Sequence, residues 1–193
     1  AVSPAALRDL VKRRLLLCLG SGRYDWHRAL RQLALGRLHA VAFGNEAGER
    51  SVDLEELRQR YRRHYLDVLA RREAVLRGPG AKAAAAEIRC DWCHARRAWG
   101  SAVARGDVGA LKRSLGGLAR FLSLEGGLVE GVELLESAVR ALTRQDEAFR
   151  DEERLEVIIQ ILVEQARLLN AQCLPQRACR TAKFVVEMAR TRD

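Results

Sequence analysis

Residues 89–99 combine two cysteines and a histidine at a spacing that could bind a metal or a haem. Cys90, Cys93 and His94 form the string C-x-x-C-H, which attaches haem in c-type cytochromes. A structural zinc site needs four ligands; the chain has no second C-x-x-C or H-x-x-x-H pair, and His64 is one further candidate ligand. Haem attachment also requires export to an oxidising compartment, and the first residues do not resemble an export signal. We therefore predict neither a metal nor a haem here.

The same stretch lies inside a helical pattern that explains its residues without a cofactor. Ile88, Trp92, Ala95 and Trp99 recur at i, i+4, i+7 and i+11, which is the spacing of one apolar helix face. The two thiols then lie three residues apart on another part of the same helix. The pattern predicts an ordinary helix that carries free cysteines.

Motifs of the common catalytic sites do not occur in the chain. There is no phosphate-binding G-x-x-x-x-G-K-[ST], no nucleophile elbow G-x-S-x-G and no H-E-x-x-H. The five cysteines are odd in number and lack a secretory signal, which favours free thiols in a reducing cytoplasm. For Cys173 and Cys179 a packing role is predicted. We expect a cytoplasmic protein without enzymatic activity.

The charge of the chain allows two interpretations. Lysine and arginine number 34 against 25 aspartates and glutamates, which gives a net charge of +9. A basic chain can bind nucleic acid, but a dedicated surface would cluster its arginines on one face. Here acidic and basic residues are interspersed and arginines are spread over every predicted helix, which favours solvated helix faces. Binding of nucleic acid is therefore the alternative function. No run of residues is long and apolar enough for a membrane span, so no membrane partner is expected.

Helix is the default for most of the chain, because it has only three prolines and few clusters of β-branched residues. Ser3 before Pro4 predicts a helix start. Apolar or aromatic runs on both sides of Gly20-Ser21-Gly22 predict one small β-hairpin near Leu16 to Tyr24. The predicted fold class is all-α: an array of antiparallel, tetratricopeptide-like helix pairs, preceded by a winged-helix remnant that carries the hairpin.

Three regions are predicted from the changes in pattern. Residues 1–42 would be the C-terminal part of a winged-helix domain, residues 43–106 a linking helical pair, and residues 107–193 the repeats. Because the chain lacks an initiator methionine and stops within a helical pattern, we expect it to be a piece of a larger protein.

Small and aliphatic residues around Gly126 follow the tetratricopeptide spacing. The residues expected to pack the pair of helices are Leu122, Gly126, Leu128, Gly131, Leu135 and Ala138. A looser copy follows, in which Cys173 corresponds to Gly126 and Ala178 to Gly131, about 47 residues further along. The usual tetratricopeptide period is roughly 34 residues, so these repeats would be long. Gly131 and Ala138 would let two helices approach closely.

Several stretches, in order, resemble segments of STAND signalling ATPases, the class of plant NB-ARC proteins and bacterial activators of the maltose-regulator type. Residues 7–38 look like the end of the winged-helix domain of that class; where many members read R-Y-x-x-H-x-L-L, this chain has Arg23, Tyr24, His27 and Leu30. Residues 60–66, 87–99 and 121–139 resemble the helices and the first repeat that follow there. The residues that carry the resemblance most clearly are Arg23, Tyr24, His27, Leu30, Arg60, Arg63, His64 and Tyr65.

The resemblance implies a sensor that lies C-terminal to a nucleotide-binding core. His27 falls on the family's M-H-D histidine, which contacts the ADP phosphates in the resting state; here the triplet is Trp26-His27-Arg28, without the acid. The parent protein would bind ADP or ATP, whereas this piece would hold no cofactor. The competing interpretation makes His27 only the start of the helix after the hairpin.

The function predicted from these observations is a non-enzymatic sensor or protein-interaction module of a STAND-type protein in bacterial signal transduction or transcription regulation. Its expected partner is a protein or peptide ligand on the helical repeats, since stacked repeats present the first helices of their pairs as a binding face. Self-association of the parent protein is a further expectation.

Overall fold

A computed structural model describes residues 3–20, 22–42, 54–144 and 151–190. Ser21 in the predicted turn, the polar loop 43–53 and the connection 145–150 lie outside these residues. The elements are, in chain order, α1 Pro4–Lys12, β1 Leu16–Gly20, β2 Arg23–Trp26, α2 Arg28–Ala42, α3 Leu54–Arg72, a 3-10 turn Val75–Arg77, α4 Ala81–Arg105, α5 Val108–Glu125, α6 Leu128–Thr143, α7 Glu152–Ala171 and α8 Pro175–Arg190. The predicted all-α class with one small hairpin is confirmed.

By its internal contacts the chain divides into two compact units, Ala1–Leu57 and Arg58–Asp193. The predicted division into residues 1–42, 43–106 and 107–193 stays a prediction. Among the described helices, none has the length and apolar character that a bilayer span requires.

The first unit is built from α1, the hairpin and α2. Ser3 begins α1 as its N-cap, with its hydroxyl accepting a hydrogen bond from the backbone of Ala6 at 3.2 Å. The antiparallel strands pair Leu16 with Trp26. Among the side chains described in this unit, only Leu16 is buried. Its apolar burial is therefore small.

The second unit holds a continuous apolar core that α3 to α8 share. Ends of helices are set by local chemistry: α4 stops at Gly106 in the left-handed conformation (φ 65°), and the Asp107 carboxylate accepts from the backbone of Ala110 to begin α5. Helices α3 and α5 are in close backbone contact, because a Cβ on Gly117 would overlap the backbone carbonyl of Leu69. Helix α7 packs against both α5 and α6.

Helices α5–α6 and α7–α8 form two corresponding pairs. Helix α8 begins and ends 47 residues after α6, at Pro175 and Arg190 against Leu128 and Thr143. A left-handed residue closes the first helix in both pairs: Gly126 directly after α5 has φ 75°, and Cys173, two residues after the end of α7, has φ 59°. The predicted correspondence of Cys173 to Gly126 thus describes the backbone as it is observed.

The packing role predicted for Cys173 and Cys179 is wrong, since both side chains are exposed. Cys173 ends α7 in the left-handed region, which turns the chain rather than filling a core. Cys179 lies on a face of α8 that no described element covers. The positions of these two cysteines follow the repeat. Helix α7 packs on the first pair, but no described helix packs on the second pair in the same way.

Candidate ligand-binding groove between α5 and α7

The C-x-x-C-H stretch lies in the middle of α4, as its helical pattern predicts. Cys90 and Cys93 are exposed. His94 instead faces α3, where its Nδ1 is 2.9 Å from the Tyr61 hydroxyl and its ring stacks on Tyr65 with centroids 5.0 Å apart. Burial raises the pKa of Tyr61, which keeps the hydroxyl protonated for this hydrogen bond. The imidazole therefore joins two helices.

His64, the further candidate ligand, contacts Tyr65 edge-to-face at 4.9 Å between ring centroids. Within the described part of the chain, no three His, Cys, Asp or Glu side chains come together as a metal site would require. The structure thus brings the thiols and His64 into no common cluster there.

His27 lies at the start of α2 with an exposed side chain. Its backbone carbonyl accepts from the amides of Leu30 at 2.9 Å and Arg31 at 3.0 Å. Asp25, two residues before His27, accepts from the backbone of Trp26 at 2.8 Å and pairs with Arg31. These contacts lower the pKa of Asp25, the backbone hydrogen bond most. The nucleotide-contact role of His27 stays a prediction.

The predicted packing residues other than Gly126 lie where α5, α6 and α7 meet, whereas Gly126 is exposed in the left-handed turn after α5 and has no packing contact. Leu122, Leu135 and Ala138 are buried, and Leu128 is half-buried. Gly131 sits under α7: a Cβ placed there would be 2.7 Å from Cδ1 of Leu168. Glycine is therefore required at this position by close contact with the next helix as well as with its own pair.

A groove of about 470 Å³ opens beside this contact, between the first helices of the two pairs. Small residues form its floor, and long charged side chains form its rim. Its lining residues are Arg77, Gly116, Ala119, Arg120, Ser123, Glu164, Arg167 and Leu168. The predictions from sequence did not include this groove.

Two arginines of the groove occupy corresponding positions in the pairs. Arg120 on α5 and Arg167 on α7 are separated by the same 47 residues as the ends of α6 and α8. That repeat is the signal in the sequence that could have identified them. It places one guanidinium on each of two neighbouring helices, at the same level of the stack.

The arginines differ in how they are held. Nε of Arg120 donates to the carbonyl of Leu76 at 3.3 Å, and Arg120 forms no ion pair with another described residue. Arg167 pairs with Glu164 at 2.5 Å, and Arg77 pairs with Glu73 at 2.5 Å. Arg120 is therefore oriented through one nitrogen while its terminal nitrogens stay available to a ligand.

A charged side chain from the end of α3 lies close over the floor of the groove. A Cβ on Gly116 would overlap the carboxylate of Glu73, which reaches across from the end of α3. A second recess continues the groove past Gly116 toward Lys112, whose amine is 2.7 Å from Glu156 of α7. Basic and acidic side chains thus lie together along the seam between α5 and α7.

This arrangement can bind but offers no nucleophile with an activating base. Its guanidinium groups donate paired hydrogen bonds in a plane, which suits carboxylate or phosphate oxygens. No family model, curated protein or solved structure matches the chain in comparisons with known proteins.

Proposed function

We propose that the chain is a protein-interaction module whose groove between α5 and α7 binds an acidic, extended segment of a partner protein. The observation that carries this proposal is the pair Arg120 and Arg167, at corresponding positions above a floor of small residues. Arg77, Arg120 and Arg167 line this groove; Arg77 and Arg167 are paired with Glu73 and Glu164, and Arg120 forms no ion pair with another described residue.

The spacing of the helices defines which segment would fit. Packed helices lie about 8–10 Å apart, and an extended chain advances about 3.3 Å per residue. Two guanidinium groups on neighbouring helices therefore suit acidic side chains about three residues apart. An extended segment also keeps its own backbone close to the small residues Gly116 and Ala119.

Nucleic acid fits the groove less well. Glu73 and Glu164 lie in the same seam, where they would repel a continuous line of phosphates. A peptide with separated carboxylates avoids that repulsion. Binding of nucleic acid remains the alternative, and the experiment below includes it.

The resemblance to STAND ATPases implies a role for this binding in the parent protein. In such a protein the repeats sense a partner and bias a nucleotide switch bound to ADP or ATP. The chain would then be the sensor part, without enzymatic activity of its own.

The test is fluorescence anisotropy with a labelled extended peptide that carries glutamate at every third position. The double change Arg120→Ala and Arg167→Ala removes two charge-assisted hydrogen-bonding groups, each worth roughly 1.5–3 kcal/mol. Since 1.4 kcal/mol is a factor of ten in Kd, even one lost group should weaken binding by about tenfold or more.

Arg113→Ala is the matched control, because Arg113 lies on the same helix α5 and outside the residues that line the groove. It should leave Kd nearly unchanged. Equal weakening by Arg113→Ala would show nonspecific attraction to a basic chain and contradict the proposal. Tighter binding of a single-stranded oligonucleotide, lost in the double variant, would favour the alternative.

A further inference from the structure

The second pair presents an open apolar groove of about 580 Å³ between α7 and α8. Aliphatic and small side chains of both helices line it, with Asn170 near one end. Its lining includes Ala166, Arg167, Ala178, Cys179, Ala182 and Val185. No described element covers this groove.

The corresponding face of the first pair is covered by another helix. Ala182 and Val185 correspond to Leu135 and Ala138, which are both 0% exposed. Ala182 itself is exposed. The amphipathic helix α7 packs against both α5 and α6 and covers this face of the first pair.

Helix α7 uses two kinds of contact on that face. Its Leu168 fills the space left by Gly131. Nε2 of Gln165 donates to the Glu136 carboxylate at 3.2 Å, which fixes the position of α7 along α6. An equivalent helix on the second pair would place an aliphatic side chain at Ala178 and a polar one beside Lys183, the residue that corresponds to Glu136.

The charge at these positions is reversed between the pairs. Helix α6 carries three acids at a spacing of three residues, and α8 carries three bases at the corresponding positions: Glu130, Glu133 and Glu136 against Arg177, Arg180 and Lys183. Arg177 pairs with Glu136 of α6 at 3.1 Å, and Arg180 lies in a different recess beside that glutamate. Lys183 forms no ion pair with another residue that the structure describes. Because Lys183 corresponds to Glu136, which accepts from Gln165 of α7, a helix that follows this face should carry an acid at the position of Gln165.

We propose that the groove between α7 and α8 binds an acidic amphipathic α-helix of another protein, in the way that α5 and α6 bind α7. The helix would carry leucine or isoleucine at the spacing of α7 and a glutamate at the position of Gln165, facing Lys183. Arg167 of α7 lines both this groove and the groove between α5 and α7, whereas the α8 residues line only this one. A second copy of the chain is disfavoured as the occupant, because its own α8 would bring a second Lys183, and not an acid, to the contact.

The probe is a labelled peptide of residues 151–171 that carries Gln165→Glu, added to the full chain. We expect binding that Ala182→Arg weakens by about tenfold or more, since the new side chain puts a charge into the apolar contact. Gln176→Arg is the matched control, because Gln176 is an exposed residue of α8 outside the groove. It should leave Kd nearly unchanged.

A charge exchange tests the orientation of the bound helix. The unaltered chain should prefer the peptide with Gln165→Glu, whereas the Lys183→Glu variant should prefer a peptide with Gln165→Lys. A preference that does not reverse would overturn the proposed alignment with α7. Binding that Ala182→Arg leaves unchanged would mean that the peptide displaces α7 from the first pair, and it would overturn the site.

Two cysteines give a readout that needs no variant. Cys179 lines the groove and Cys173 lies outside it, and both are exposed. The bound peptide should slow alkylation of Cys179 and leave Cys173 unchanged. Equal rates with and without peptide would contradict the proposal. Concentration-dependent dimers of the chain that protect Cys179 without peptide would make a second copy the occupant.

Discussion

The two helix pairs of the second unit share a backbone plan and differ in what surrounds them. In both, the second helix has the same length, and a left-handed residue follows the first helix. Yet Leu135 and Ala138 of the first pair are buried, whereas Ala182, which corresponds to Leu135 in the second pair, is exposed. The acids of α6 are also replaced by bases on α8.

This difference separates the causes of helix geometry from the causes of burial. Caps and turn residues act within a few residues of the helix end, so both pairs adopt the same turn even with different residues in it. Burial depends on the next element in the stack. A repeated sequence pattern therefore reports which residues face a neighbour, but it does not report whether the neighbour is present.

The largest expected effect compares a leucine at corresponding positions of the two pairs. Gly131→Leu places a side chain against Leu168 and Leu122, whose Cδ1 atoms lie 2.7 Å and 3.2 Å from an added Cβ. Overpacking of this kind costs about 1–3 kcal/mol of unfolding free energy. Ala178→Leu extends into the open groove and should change stability by less than about 0.5 kcal/mol.

Urea denaturation of the two variants measures this contrast. The midpoint should fall for Gly131→Leu with little change in the slope. Equal midpoints for both variants would show that α7 does not hold Leu168 against the first pair.

An intermediate effect concerns the left-handed turn residues. Gly126→Ala should destabilise by roughly 1–2 kcal/mol, the cost of a Cβ in this conformation, because the structure leaves open space around it and no contact is lost. Cys173→Gly should stabilise by up to about 1 kcal/mol, since the relieved strain exceeds the roughly 0.5–1 kcal/mol that the freedom of glycine costs.

Thermal unfolding followed by circular dichroism compares these two changes, with Cys173→Ala as the control that removes the thiol and keeps the Cβ. Cys173→Ala should leave the melting temperature near that of the unaltered chain. If it stabilises as much as Cys173→Gly, the thiol and not the backbone is the source of strain.

The smallest effect is electrostatic and belongs to the first pair alone. Arg89 of α4 donates to Glu125 at the end of α5, with one contact at 2.7 Å, and these hydrogen bonds lower the pKa of Glu125. Because the folded pKa is below the unfolded one, the contribution to stability is present above the unfolded pKa and is lost as pH falls through the folded pKa. Gln172, at the corresponding position, has no carboxyl group to titrate.

Arg89→Ala should raise the pKa of Glu125, as followed by an NMR titration of its side-chain carboxyl carbon. Arg113→Ala is the control, since Arg113 has no contact with Glu125 in the structure. An unchanged pKa in the Arg89 variant would mean that the ion pair does not persist in solution.

Local signals account for the parts of the fold that the sequence predicts well. Ser3 with Pro4, the glycines of the hairpin and the helix-spaced Ile88 and Trp99 each act over a few residues, so pattern and structure agree. The close contact at Gly131 was also predictable, because a small residue at a repeat position implies a near neighbour. These features need no knowledge of distant parts of the chain.

The groove between α5 and α7 was not predictable in the same way. In the sequence, Arg120 is one of many arginines on helix surfaces. Only the structure shows that α7 places Arg167 beside it and that its Nε donates to the carbonyl of Leu76. The exposure of Cys179 was missed for a related reason. Its position follows the repeat, but its surroundings depend on whether another helix packs on α8.

The contact between Gly117 and the carbonyl of Leu69 has a consequence for motion. Side chains between two helices can slide or change rotamer while the helices stay together, but a backbone contact leaves no such layer. Helices α3 and α5 can therefore part at this point only by opening a gap that water must enter. Amide hydrogens on both sides of the contact should then exchange through one shared opening, which would make the last turn of α3 and the centre of α5 a single cooperative unit of local unfolding.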